Sequence, residues 1–160
     1  MRINRLACLA MIAGSAACAG QGVVRTEAAA PAARHAGSQG IAGRWALVLL
    51  MRSGEDRTNP GAGVRYYTFS EDGTFRITRG DSILETGTWS QDTTTSPRSF
   101  DHIPNVDGRP GRHVPGIFAI TGDTLKISIL PPNPAGRRPT QFRSAPEDRS
   151  WLLVYHRAPP

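Results

Sequence analysis

Between Trp45 and Arg157 the chain is cut by turn signals at roughly eight- to twelve-residue intervals, and the runs between them alternate apolar with polar residues. No other feature constrains the fold so tightly. A period of two turns one set of side chains to a buried face and the other to water, which a strand does and a helix does not. In Thr124 to Leu130, Leu125, Ile127 and Ile129 alternate with Thr124, Lys126 and Ser128. A hairpin is expected where Tyr66 to Ser70 meets Thr74 to Thr78 through Glu71-Asp72-Gly73, because Asp-Gly accommodates the positive φ angles of tight turns. Its second strand puts Phe75 and Ile77 on one face.

The same reading predicts strands over Ile83 to Gln91, Phe100 to Pro104, His113 to Ile120, Thr140 to Arg143 and Trp151 to Arg157. Gly87 marks a bulge or a close backbone approach within the first of these. Asp92 to Pro97 and Asn105 to Arg112 read as connections, and Pro131 to Pro139 as an irregular loop whose prolines lack ladder donors. Trp45 to Arg52 is apolar almost throughout. It fits a doubly covered strand better than a buried helix segment, given its length, the preceding Gly43 and its β-branched and aromatic content. All aromatic residues, 3 Trp, 3 Tyr and 5 Phe, fall between Trp45 and Tyr155, so one core is expected after a core-free leader. Pairing the first strand with the last would remove exposed edges, and a single all-β antiparallel barrel over 43–160 is therefore expected rather than an open sandwich.

The leader reads as an export signal. Met1 to Arg5 is basic, and Leu6 to Ala17 is small and apolar but too short for a permanent transmembrane helix. Ser15-Ala16-Ala17-Cys18 resembles a bacterial lipobox, in which Cys18 is acylated and becomes the new N-terminus. Ala17-Cys18-Ala19 alternatively offers the small-x-small pattern of ordinary signal peptidase. The expected address is the bacterial cell envelope, lipid-anchored at the outer membrane or periplasmic face, with a periplasmic or secreted protein as the alternative. Of the 2 cysteines, Cys8 leaves with the signal, so no intramolecular disulfide can form and stability must come from packing. Residues 18–42 carry no aromatic and are interrupted by Pro31. They read as a flexible tether, with a short docked helix from Glu27 to Arg34 as the alternative.

The formal charge of +6 falls to +4 once Arg2 and Arg5 are removed, and what remains is scattered. Arg137-Arg138 is the sole adjacent basic pair, and no basic stripe interleaves with stacking aromatics, so nucleic acid is not an expected partner. A monomer is expected.

Gly43-x-Trp45 at the opening of the first strand and Arg157 at the end of the last resemble the signature of the lipocalin (calycin) superfamily. There the tryptophan plugs one end of the barrel and the arginine packs across it. The pieces Phe69 to Phe75, Gly87-Thr88-Trp89, Phe100-Asp101, Gly116 to Lys126, Arg138 to Phe142 and Leu153 to Arg157 are similar to a family of uncharacterised, often exported bacterial lipocalin-like domains. Phe118 stands where that family usually has Tyr, and Ile120 where it has Leu. The resemblance implies a lipocalin-like barrel, with Gly43, Trp45 and Arg157 in structural roles, and assigns no activity.

No catalytic set emerges. Gly80-Asp81-Ser82-Ile83 matches the opening of one esterase group, but a strand follows the serine and no Asp-x-x-His segment stands near the C-terminus. His102, His113 and His156, with Asp101 and Asp107, lack metal-site spacing, and Asp101 and His102 would face opposite ways on a strand. Neither an enzymatic activity, a metal nor a cofactor is expected. If Trp45 and Arg157 set the inward parity, Phe75, Ile77, Trp89, Leu125, Ile127, Leu153 and Tyr155 line the barrel, and Asp101 is the best polar candidate beside them. That lining serves either a cavity for a small apolar or amphipathic ligand or a side-chain-filled core. In the second case the domain would act as an interaction module, docking envelope proteins or polysaccharide through Asn105 to His113 and Pro131 to Arg138.

Overall fold

Eight antiparallel strands close on themselves in a computed structural model that describes residues 40–130, 136–147 and 149–160. Cys18, the leader and most of the tether therefore lie outside the described residues, as do 131–135 of the expected proline-rich loop. The strands are β1 (Gly43–Arg52), β2 (Glu55–Asp56), β3 (Arg65–Phe69), β4 (Thr74–Arg79), β5 (Ser82–Asp92), β6 (Arg98–Val106), β7 (Arg109–Pro110), β8 (Val114–Thr121), β9 (Thr124–Ile129) and β10 (Trp151–Arg157). Neighbouring strands follow the order β10, β9, β8, β6, β5, β4, β3, β1, and β1 returns to β10 to complete the wall. The two-residue β2 and β7 are hairpin appendages to β1 and β6.

Turn chemistry produces this meander. Gly73 takes a φ of 81° at the β3–β4 turn, where Asp72 Oδ1 accepts hydrogen bonds from the Thr74 backbone N–H at 2.9 Å and the Thr74 hydroxyl at 2.7 Å. Asp107 and Gly108, with φ of 52° and 75°, form the two-residue turn between β6 and β7. At Gly87 the requirement is space. A Cβ there would run into the Ile103 carbonyl oxygen and stand 2.6 Å from Phe75 Cε1, so the sequence signal for close approach holds. The bulge lies elsewhere, at Leu84, between the Ile77–Glu85 and Thr78–Ile83 pairs.

Inward parity follows from the register. Trp45, Leu47, Tyr67, Phe69, Phe75, Ile77, Trp89, Phe100, His102, Phe118, Leu125, Ile127, Leu153 and Tyr155 all face the interior, and most belong to one buried cluster. Ile41, two residues before β1, is also fully buried there, so packing begins inside the expected tether segment.

The expected strand over Thr140 to Arg143 is absent; those residues form bends and irregular chain. Closure explains this, since β9 is already hydrogen-bonded to β8 on one side and β10 on the other and offers no free edge. The crossing segment packs on the outer wall instead. There Ile117 and Ser128, outward by parity, are buried along with Pro139 and Ala145. The connection expected over Asn105 to Arg112 likewise contains the β6–β7 hairpin.

Candidate binding site at the seam between β1 and β3

The two ends of the barrel differ in chemistry. At one end Trp45 is fully buried, its Nε1 donates to the Ile41 carbonyl at 2.7 Å, and the Arg157 guanidinium lies over its ring at 4.2 Å. Gly43 leaves room for that guanidinium, since a Cβ there would stand 3.2 Å from Arg157 Nη1. Beneath the plug, Phe69 contacts the rings of Trp89 at 5.2 Å and Phe100 at 5.8 Å, edge to face. Trp89 Nε1 donates to the Ser70 carbonyl at 3.1 Å. Side chains fill this half.

Toward the other end the inward positions turn polar. Following Phe69 and Tyr67 back along β3 leads to Arg65, and following Phe75 and Ile77 along β4 leads to Arg79. These two arginines are directly opposite in the β3–β4 register. On β5, Glu85 pairs with Ile77 and shares the parity of Gly87 and Trp89. Burial raises the Glu85 carboxyl above its usual range, while Arg65 partly opposes the rise. Burial likewise pushes the phenols of Tyr67 and Tyr155 upward, with Glu85 contributing to both shifts. The Nε atoms of Arg65 and Arg79 are buried without a hydrogen-bond partner.

The wall is also incomplete beside these arginines. Strand β1 pairs with β3 only from Gly43 to Ala46. From Leu50 onward its edge is taken by β2 and by residues 57 and 58, through Arg57 N–H to the Leu50 carbonyl at 2.7 Å and Leu50 N–H to Thr58 Oγ1 at 2.9 Å. Val48 is a bulge residue between these two arrangements. The seam left open holds a cavity of about 180 Å³ lined by Leu47, Leu50, Thr58, Val64, Arg65 and Arg79, among others. Larger depressions occur elsewhere. One of about 330 Å³ lies along Arg137 to Gln141, and one of about 420 Å³ runs past the outward side chains of Thr68, Arg76 and Thr86. The seam cavity is distinguished by two guanidinium groups that reach it from inside the barrel.

The candidate cavity residues named from sequence divide accordingly. Phe75, Ile77, Trp89, Leu125, Ile127, Leu153 and Tyr155 are brought together in the interior, where they are buried against one another. Asp101 is not with them. It points outward, where Arg138 Nη2 donates to both its carboxylate oxygens at 2.7 and 3.0 Å and His113 Nε2 lies 2.8 Å from Oδ1. Arg138 Nη1 also donates to the Phe100 and Gly116 carbonyls, at 2.8 and 2.5 Å, tying the crossing segment to β6 and β8. Two polar residues of β6, Arg98 and His102, share the inward parity of Phe100, and of these His102 is the buried one. Burial, reinforced by His113 and countered by Asp101, pulls its pKa down to about 4. Its Nδ1 is buried and unpartnered, and its ring centre lies 5.4 Å from that of Phe75 and 5.5 Å from that of Phe100.

Arg65, Arg79 and Glu85 were absent from the sequence-based site. Their signal was present, since the alternation that makes Phe69, Tyr67, Phe75 and Ile77 inward carries directly on to Arg65 and Arg79. Polar residues at inward positions of a strand are the departure that marks a site.

No protein-family model matches this chain, and no curated protein matches it.

Proposed function

We propose that this protein binds a small apolar or amphipathic molecule at the seam between β1 and β3, without catalysis, as a lipocalin-like domain of the bacterial envelope. The seam cavity carries the reading, because it joins apolar Leu47 and Leu50 to unpartnered polar atoms. Buried donors of that kind ordinarily have a partner, and ligand pockets combine apolar walls with a few such groups. Kinship with the lipocalin-like family is supported by Trp45 and Arg157 meeting at one end of a closed antiparallel barrel, together with the short motifs named above. Titration of the full chain with a fluorescent fatty-acid probe is expected to give a saturable signal, and Leu47→Trp, which fills the cavity, to abolish it. A linear, unsaturable response in the unaltered protein would sink the reading.

The envelope address rests on the leader sequence. Acylation of Cys18 would hold the barrel near a membrane, since two or more buried chains anchor stably where one does not. Cys18→Ser should move the protein from the membrane fraction to the soluble periplasmic fraction. An unchanged distribution would count against lipidation.

A second reading, an interaction module, is favoured by Val106, which is 56% exposed beside the β6–β7 turn with Arg109 and Arg112 nearby in sequence. Arg138, also expected to dock partners, is committed to Asp101 and two backbone carbonyls. On this reading partner binding would be indifferent to Leu47→Trp.

A further inference from the structure

Two cations directly opposite on antiparallel strands repel one another, and the cost grows where water is partly excluded. Arg65 and Arg79 hold that relation with their Nε donors buried and unpartnered. Among the described residues the inward carboxylate on the neighbouring strand is Glu85, and no ion pair or hydrogen bond joins it to either arginine. Tyr67 and Tyr155 face the same region and are neutral phenols. With Glu85 ionised the group carries a formal +1, and with Glu85 protonated it carries +2. The site as it stands is short of at least one negative charge.

Resting on the binding reading above, we propose that Arg65 and Arg79 receive the carboxylate of a short amphipathic ligand whose apolar part lies against Leu47 and Leu50. A monoanion balances the charge left when Glu85 is ionised, where a dianion would overshoot it. The planar guanidinium fork matches a carboxylate with two parallel N–H donors, and charge-assisted bonds of this kind are roughly twice as strong as neutral ones. Size points the same way. A cavity of about 180 Å³ is below the range of pockets for drug-sized ligands, so it holds a short unbranched stretch of chain beside the carboxylate, and anything longer extends out through the seam. The open seam between β1 and β3 gives the carboxylate a path to donors that sit inside the wall.

The test uses the full chain and two ligands of equal length, octanoate and octanamide, followed through the methyl resonances of Leu47 and Leu50 by NMR. Octanoate is expected to bind at least about tenfold more tightly than octanamide, a preference of roughly 1.4 kcal/mol. In Arg65→Gln and Arg79→Gln that preference should shrink toward unity while octanamide binding persists. Equal, saturable binding of both ligands to the unaltered protein would overturn the carboxylate assignment and leave the binding reading standing. Shifts from neither ligand, with the fatty-acid probe also silent, would remove both. The comparison of ligands on the unaltered protein holds even if the variants fail to fold.

Discussion

Trp45→Ala is expected to destabilise the barrel by about 3 to 5 kcal/mol, the range for deleting a large buried aromatic and leaving its cavity behind. The indole is fully buried at the filled end, and its Nε1 donates to the Ile41 carbonyl, so the substitution also orphans a buried acceptor. Ile41 itself, held by a 3.0 Å hydrogen bond from its backbone N–H to Gln91 Oε1, would lose the surface it packs on. Arg157→Ala should behave differently. Its side chain is 40% exposed, and its contact over the ring is a cation–π attraction worth about 0.5 to 2 kcal/mol. Urea unfolding of the two single variants and the double variant measures both effects and their coupling. The expected coupling lies in the cation–π range. A coupling near zero, or an Arg157→Ala loss equal to that of Trp45→Ala, would show that the end is not built as a buried plug under a lid.

Acid should weaken the fold through His102, by about 3 kcal/mol across the window set by its shift. The ordinary pKa of 6.5 is lowered to about 4 in the folded state. Above pH 6.5 the imidazole is neutral in both states and contributes no slope. As pH falls from there to about 4 the unfolded chain takes up the proton that the folded barrel resists, and stability declines; below that both states are protonated and the loss levels off. Glu85 works in the opposite sense, because its raised carboxyl accepts a proton in the folded state first and so favours folding as pH falls. Comparing His102→Leu with the unaltered protein isolates the histidine. Urea unfolding at pH 7 and at pH 4 should give a loss smaller by about 3 kcal/mol in the variant. Parallel pH profiles would mean that His102 is not held neutral inside the barrel.

Much of the architecture was legible because strand pattern and turn chemistry are local. Asp72-Gly73 and Gly122-Asp123 sit at hairpins, Trp151 to Arg157 is a strand with the expected bounds, and the inward parity of Phe75, Ile77, Leu125 and Ile127 follows from alternation. The errors arise where a local pattern meets a global limit. Thr140 to Arg143 reads as a strand in isolation, yet both edges of β9 are occupied. Asp101 was weighed as an interior polar group. Its parity is opposite to that of Phe100 and His102, and Arg138, 37 residues further along the chain, supplies its partner on the outside.

The sequence by itself determined that this chain makes one antiparallel sheet, which residues face its interior, and that its first and last strands have reason to meet. These depend on neighbours a few residues apart and on the penalty for leaving edges exposed. Whether the interior is filled or open was decided only in three dimensions. Volume depends on where the closed wall admits an extra residue, at Val48 and Leu84, and on where β1 parts from β3, and neither is set by a period of two. That parting brings Arg65 and Arg79 to a cavity beside Leu47 and Leu50, from segments no single stretch of sequence connects.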